Sequence, residues 1–243
     1  MSTPPPPNPL PVDSAKRVPP IPVPTHGPGG VFSIACSTHI TSPTSTSTTS
    51  NTTGNNSALT TLATVLNVAQ YGTWNGFVPR ARITSPAPAD KLEQVQGHIP
   101  PELRSLADKY GIIPGAKLRF DAIMVPGGSS RAVDIEVTVL EAFAVDSPNP
   151  SSTSTGDGGR KRQGYRIAWK ALGFPGFLLR SERVQEFIES ADGDGECEYR
   201  CWETFSGVLA YVLPVAQLED GFRRWMGGLK GAVEGTAKAA SGE

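Results

Sequence analysis

The chain has 243 residues and a formal net charge of -1, with 38% hydrophobic and 19% charged residues. That length suits one domain with extensions or two small domains. The balanced charge removes any bulk electrostatic case for nucleic acid or an anionic membrane surface. No run of about 20 apolar residues occurs, so no transmembrane helix is expected. The N-terminus lacks the apolar core of a secretory leader. Three cysteines, an odd number without a leader, point to a reducing, cytoplasmic setting. Cys197 and Cys201 would lie roughly 13 Å apart on one strand, too far for a disulfide, and read as buried small residues.

Residues 1–28 hold eleven of the 23 prolines. They read as part of a disordered Pro-rich tail, 1–29, whose only suggested partner is a weak SH3- or WW-type contact. Val31 to Ile40 alternates apolar and polar residues and predicts a strand. Residues 41–57 are almost wholly Ser, Thr and Asn, which cannot bury a core, and read as a low-complexity insertion. Ser57 can cap a short helix carrying Leu59, Leu62, Ala63 and Leu66. A second short segment follows at Gln70 to Gly76, then a strand at Phe77 to Ile83. Residues 84–114 read as a polar, Pro-rich insertion with one weak helix at Pro101 to Tyr110.

Strands are predicted at Lys117 to Val125 and Ala132 to Val145, the second with Val133, Ile135, Val137 and Val139 on one face. Residues 146–163 form a third insertion. Strands at Tyr165 to Leu172, Phe177 to Glu189 and Glu196 to Phe205 follow, the last two joined by a tight turn at Asp192 to Gly195. The final stretch, Gly207 to Thr236, reads as one amphipathic helix with Tyr211, Val215, Leu218, Phe222, Trp225, Leu229 and Val233 at steps of three and four. Residues 237–243 read as a disordered tail. A run of strands closed by one long helix indicates an α+β fold with an antiparallel sheet, and the helix must bury its stripe against that sheet.

No Gly-rich phosphate loop, zinc-binding His or Cys spacing, or nucleophile elbow is present. The three histidines, His26, His39 and His98, do not cluster in the sequence. No metal or cofactor is therefore expected.

Three stretches together resemble one superfamily. Tyr71-Gly72-Thr73-Trp74-Asn75-Gly76-Phe77-Val78 resembles its Y-P-x-W-N-P-F-V segment, with Gly72 and Gly76 in place of the prolines. Gly115-Ala116-Lys117-Leu118-Arg119-Phe120 resembles its G-x-x-L-x-F opening of a strand. Glu203 to Tyr211 resembles its E-x-F-x-G-x-L-A-Y passage into the last helix. This is the SRPBCC group, also called START-like or birch-pollen-allergen-like, with polyketide cyclase/dehydrase members. The resemblance covers about residues 30–236. It implies a single helix-grip domain in which a curved seven-stranded antiparallel sheet wraps the C-terminal helix and two short helices follow the first strand. It also implies an apolar cavity for a lipid, polyketide, sterol or quinone.

By the register of that family, Cys197, Tyr199, Cys201 and Glu203 face inward on the last strand. Ile167, Trp169 and Ala171 do so on the strand before the Phe177 segment, and Leu118, Phe120, Ala122 and Met124 on the strand from Lys117. Leu218, Phe222, Trp225 and Leu229 oppose them from the helix, and Trp74 and Phe77 complete the expected ligand-binding set. Trp74 reads either as packing under the Asn75 corner or as a gate. Tyr199 could donate a hydrogen bond to a ligand oxygen. Glu203, buried beside aromatics, would have a raised pKa and could act as a general acid or base; it would otherwise anchor the strand-to-helix junction or pair with Arg183. The expected function is binding of a hydrophobic small molecule. A polyketide cyclase or dehydratase using the same cavity and a non-catalytic interaction protein are the alternatives, and whether the chain is an enzyme stays open.

Overall fold

In the computed structural model, residues 10–43, 56–91, 99–146, 161–190 and 195–235 are described. Residues 1–9, 44–55, 92–98, 147–160 and 236–243, which belong to the expected tails and insertions, lie outside them, as does most of the tight turn expected at Asp192 to Gly195. Eight antiparallel strands form one sheet: β1 (Lys16–Val18), β2 (Phe32–Thr41), β3 (Arg80–Ser85), β4 (Lys117–Ala122), β5 (Arg131–Asp146), β6 (Lys161–Ala171), β7 (Arg180–Glu189) and β8 (Glu196–Ser206). Their order across the sheet is β1-β2-β8-β7-β6-β5-β4-β3. Helices α1 (Ser57–Leu66), α2 (Tyr71–Trp74) and α3 (Pro101–Tyr110) lie between the early strands, and α4 (Val215–Val233) closes the chain on the concave face. This is an α+β fold with a helix-grip-like arrangement.

The eighth strand corrects the expected seven, and it comes from the segment read as a tail. Residues 10–28 are not disordered. Lys16 to Val18 pair with Ala35 to Ser33, and Leu10, Ile21 and Val23 are buried against Ala35, Ala168, Val184 and Trp202 on the outer face of the sheet. The cause is Trp202, whose ring points away from the helix and would otherwise stand in water. Its Nε1 donates to the Pro22 carbonyl at 3.2 Å. Ile21 N donates to Ser33 Oγ at 2.9 Å, and Thr204 Oγ1 donates to the Ile21 carbonyl at 2.6 Å. Prolines 19 to 24 therefore belong to a strap laid across the sheet, where they lack the freedom a PxxP ligand needs.

Four further expectations are corrected. The segment 84–114 contributes core: Leu103 and Ala107 of α3, with Ile112 and Ile113, are buried in the main cluster. Asn56, not Ser57, caps α1, its Oδ1 accepting from Leu59 N at 2.7 Å. Along β5 the register shifts between Val137 and Val139, so Val139 turns to the outer face and Leu140 takes the inner one. The closing helix starts at Val215, after a single 3-10 segment at Val208 to Val212, and Tyr211 is 77% exposed rather than part of the stripe. Pro214 stands at its N-cap, ahead of the helix interior where proline would break the hydrogen-bond ladder.

A cavity beside an aromatic core

The inner side of α4 meets the sheet in two different ways. Toward its C-terminal half the space is filled. Trp225 stands edge-on to Tyr71, Trp74 and Trp169 at centroid distances of 5.4, 5.6 and 6.1 Å, and Phe120 meets Trp169 at 5.6 Å. Such edge-to-face pairs favour close aromatic packing over a void. Two glycines on the helix admit this cluster. A Cβ on Gly221 would stand 2.6 Å from the Phe77 ring, and one on Gly228 would stand 2.1 Å from the Trp74 carbonyl oxygen. Asn75 fixes the corner between those two aromatics, since its Oδ1 accepts from Phe77 N at 3.1 Å and Val78 N at 2.8 Å. Of the two readings of Trp74, the structure shows packing under the Asn75 corner.

Toward the N-terminal half of α4 a cavity of about 210 Å³ remains open. Of the residues expected to bind a ligand, Phe77, Phe120, Met124, Trp169, Glu203 and Leu218 line it. Leu118, Ile167, Phe222, Trp225 and Leu229 face the same interior but are packed into the core, and Trp74 sits with them. Tyr199 is also outside the lining. Its hydroxyl donates to Gln185 Oε1 at 2.6 Å, and burial pushes its phenol pKa up. It therefore has no free hydrogen to offer a cavity ligand.

Sequence reasoning did not include Val78, Val133, Ile135, Leu172, Phe174, Leu179, Ser181 and Phe205 in the lining, and it gave Arg183 only as a possible partner of Glu203. Phe174 and Leu179 come from the turn between β6 and β7, where chain connectivity alone gives no inward or outward rule. Val208 N donates to the Phe177 carbonyl and Leu209 N to the Leu178 carbonyl at 3.1 and 2.9 Å, so this turn is tied to the segment leading into α4. Arg224 fastens the opposite rim, its Nη2 donating to the Ile123 carbonyl at 2.7 Å and its Nη1 to the Gly76 carbonyl.

The polar side chains of the lining are Ser181, Arg183 and Glu203. Arg183 and Glu203 are directly paired in the β7–β8 register, which brings their side chains together on the inner face. The guanidinium Nε donates to Glu203 Oε2 at 3.0 Å, and Nη2 lies 2.9 Å from the same oxygen. Its flat face rests on Phe222, 4.1 Å from the ring centroid, a cation–π contact. Burial lowers the Arg183 pKa, but Glu203, Cys201 and Tyr199 together outweigh it and hold the group above its ordinary value. Glu203 is therefore not an isolated buried carboxylate. The pairing with Arg183 is the reading the structure supports.

All three thiols are buried and free, and Cys36 faces Cys201 across β2 and β8. Among the described residues no group of three or more His, Cys, Asp or Glu side chains is placed to hold a metal ion, and no helix is long and apolar enough to cross a membrane.

Comparison with known proteins gives limited matches. No family model matches the chain. It is 45% identical over 64 residues to "Oxopyrrolidines biosynthesis cluster protein O" of Penicillium oxalicum; the match takes in 23% of this chain and 31% of that one. The chain thus spans about a third of the curated relative it matches. The crystal structure of a hypothetical protein, jhp0584, from Helicobacter pylori is similar at a TM-score of 0.47 and 12% identity, covering 82% of this chain and 88% of that chain.

Proposed function

We propose that the protein binds a hydrophobic small molecule in the cavity between the sheet and α4, as expected of an SRPBCC or START-like domain. The observation that carries this reading is the cavity itself: about 210 Å³ of open space with apolar walls and three polar side chains gathered on β7 and β8. Apolar walls with a few convergent polar groups are the usual lining of a small-molecule site, and this volume suits a small one. Burial of ligand surface against these walls supplies the affinity, at roughly 25 cal/mol per Å² of apolar area. The local similarity to a protein named for an oxopyrrolidine biosynthesis cluster fits a small-molecule role.

The test is uptake of phenylnaphthylamine, whose fluorescence rises in apolar surroundings. The native protein takes it up. Ala171→Phe, which places a ring into the cavity without removing any core side chain, reduces uptake at least tenfold while the far-ultraviolet circular dichroism is unchanged. No uptake by the native protein, or equal uptake by a folded variant, refutes the reading. The second reading, polyketide cyclase- or dehydratase-type catalysis, draws on the Arg183–Glu203 pair inside the lining. Turnover of a polyketide that Glu203→Gln abolishes while binding persists is the result that favours it.

A further inference from the structure

The Arg183–Glu203 pair is incompletely used by the protein. Glu203 Oε2 takes both the Nε and the Nη2 of Arg183. Glu203 Oε1 and Arg183 Nη1 have no protein partner among the described residues, and neither is among the side-chain polar atoms sealed off without one. Both residues line the cavity, where the unused Glu203 Oε1 can accept and the N–H groups of Arg183 Nη1 can donate. Ser181, two residues before Arg183 on the same face of β7, adds a hydroxyl on that wall. The guanidinium cannot swing away, because Phe222 lies under its face at 4.1 Å and Trp225 at 5.3 Å.

A donor and an acceptor that belong to one ion pair have a chemical complement. It is a group that carries an N–H next to a C=O on the same side, as a lactam or other cis amide does. The carbonyl accepts from Arg183 Nη1, and the N–H donates to Glu203 Oε1. A free carboxylate fits poorly, because it meets the Glu203 charge and leaves that acceptor unpaired. An ester or lactone supplies the carbonyl and lacks the donor. Resting on the cavity-binding reading above, we propose that Arg183 and Glu203 read a lactam-like cis amide at one end of the ligand, while its apolar remainder lies along Phe120, Met124 and Leu218. Discrimination should be strong, because an analogue that leaves a desolvated acceptor unpaired is penalised far more than one that alters an apolar contact.

The experiment compares three matched probes on the full chain by isothermal titration: γ-hexyl-γ-butyrolactam, its N-methyl derivative and γ-hexyl-γ-butyrolactone. The expected result is that the lactam binds about ten- to a hundredfold more tightly than either of the others. The double variant R183M/E203L replaces both charges by apolar groups of similar size, which need not destabilise the fold. It should bind lactam and lactone equally. Equal affinity of the native protein for lactam and lactone overturns the cis-amide assignment and leaves the cavity reading standing. So does a lactam preference that survives in R183M/E203L. Failure of all three probes to bind the native protein, with phenylnaphthylamine also excluded, overturns both.

Discussion

Adjacent glycines on α4, Gly227 and Gly228, should respond in opposite directions to the same substitution. Alanine is the better helix former by about 1 kcal/mol, so a glycine-to-alanine change in an exposed helix interior stabilises. At Gly227 a new Cβ meets nothing within 4 Å, and G227A should gain roughly 0.5–1 kcal/mol. At Gly228 the Cβ would stand 2.1 Å from the Trp74 carbonyl oxygen and 3.4 Å from Trp74 Cε3. Taking ~3.3 Å as a close carbon–oxygen approach, the helix must retreat by about 1 Å. Because the obstacle is backbone, no rotamer change relieves it. A gap of that size forfeits a quarter to a half of each dispersion contact, and the contacts at risk are those of Trp225 with Trp74 and Tyr71. Overpacking of this kind costs about 1–3 kcal/mol; at the upper end, set against the propensity gain, G228A should lose about 2 kcal/mol net. Urea unfolding followed by tryptophan fluorescence measures both variants. At an ordinary slope of about 1–3 kcal/mol per molar urea, their midpoints should differ by roughly 1–3 M. If G228A is as stable as the native protein, or if both variants shift the same way, α4 is not seated on the Trp74 corner as described.

Two other perturbations address the outer face of the sheet. Ile21→Ala should cost about 2–4 kcal/mol in the same urea assay, since Ile21 is 1% exposed and covers the sheet beside Trp202; an unchanged midpoint would mean the strap does not bear on stability. Glu198 is partly buried, which pushes its pKa up, but Arg200 at 2.7 Å and Arg162 at 3.2 Å outweigh this and hold it below the ordinary 4.5. A carboxyl depressed in the folded state contributes stability that is fully present above its unfolded value and lost as pH falls through the folded one. Glu198→Gln should therefore be less stable than the native protein at pH near 7, with the deficit shrinking as pH falls below about 4.5; a deficit that stays constant with pH contradicts this pairing.

Much of the interior was legible because pleating is local. Once the last strand was placed, alternation put Cys197, Tyr199, Cys201 and Glu203 on one face, and the same rule found Phe120 and Trp169. One inserted residue defeats that rule. The irregularity between Val137 and Val139 moved Val139 to the other face, and no propensity in that Val-rich run marks it. The strap was missed for a different reason. Composition reads 1–29 as incapable of a core of its own, but Leu10, Ile21 and Val23 complete a cluster whose other members come from β2, β6, β7 and β8. The open and filled halves of the helix face were not distinguishable either. Phe222, Trp225 and Leu218 recur on one stripe, and only the depth of the opposing aromatics decides that Leu218 borders space while Trp225 does not.

The Arg183–Glu203 pair is the point at which stability and function make different demands. Withdrawing two charges from water costs several kcal/mol per ion, and a buried pair often does no better than apolar residues of the same volume. Here the surroundings are apolar and aromatic: Phe77, Phe222 and Trp225 flank the guanidinium, and an apolar pair on β7 and β8 would continue the cavity wall without a break. Packing alone therefore gives no reason for these two side chains. On the cavity-binding proposal, what they would add is direction. An apolar cavity holds any molecule of suitable size in many orientations, whereas a fixed donor and acceptor at one wall select which end of the molecule arrives there. On the cavity-binding proposal the aromatic cluster that closes one half of the helix face would serve the same end, because it would leave a bound molecule a short cavity with one terminus against β7 and β8.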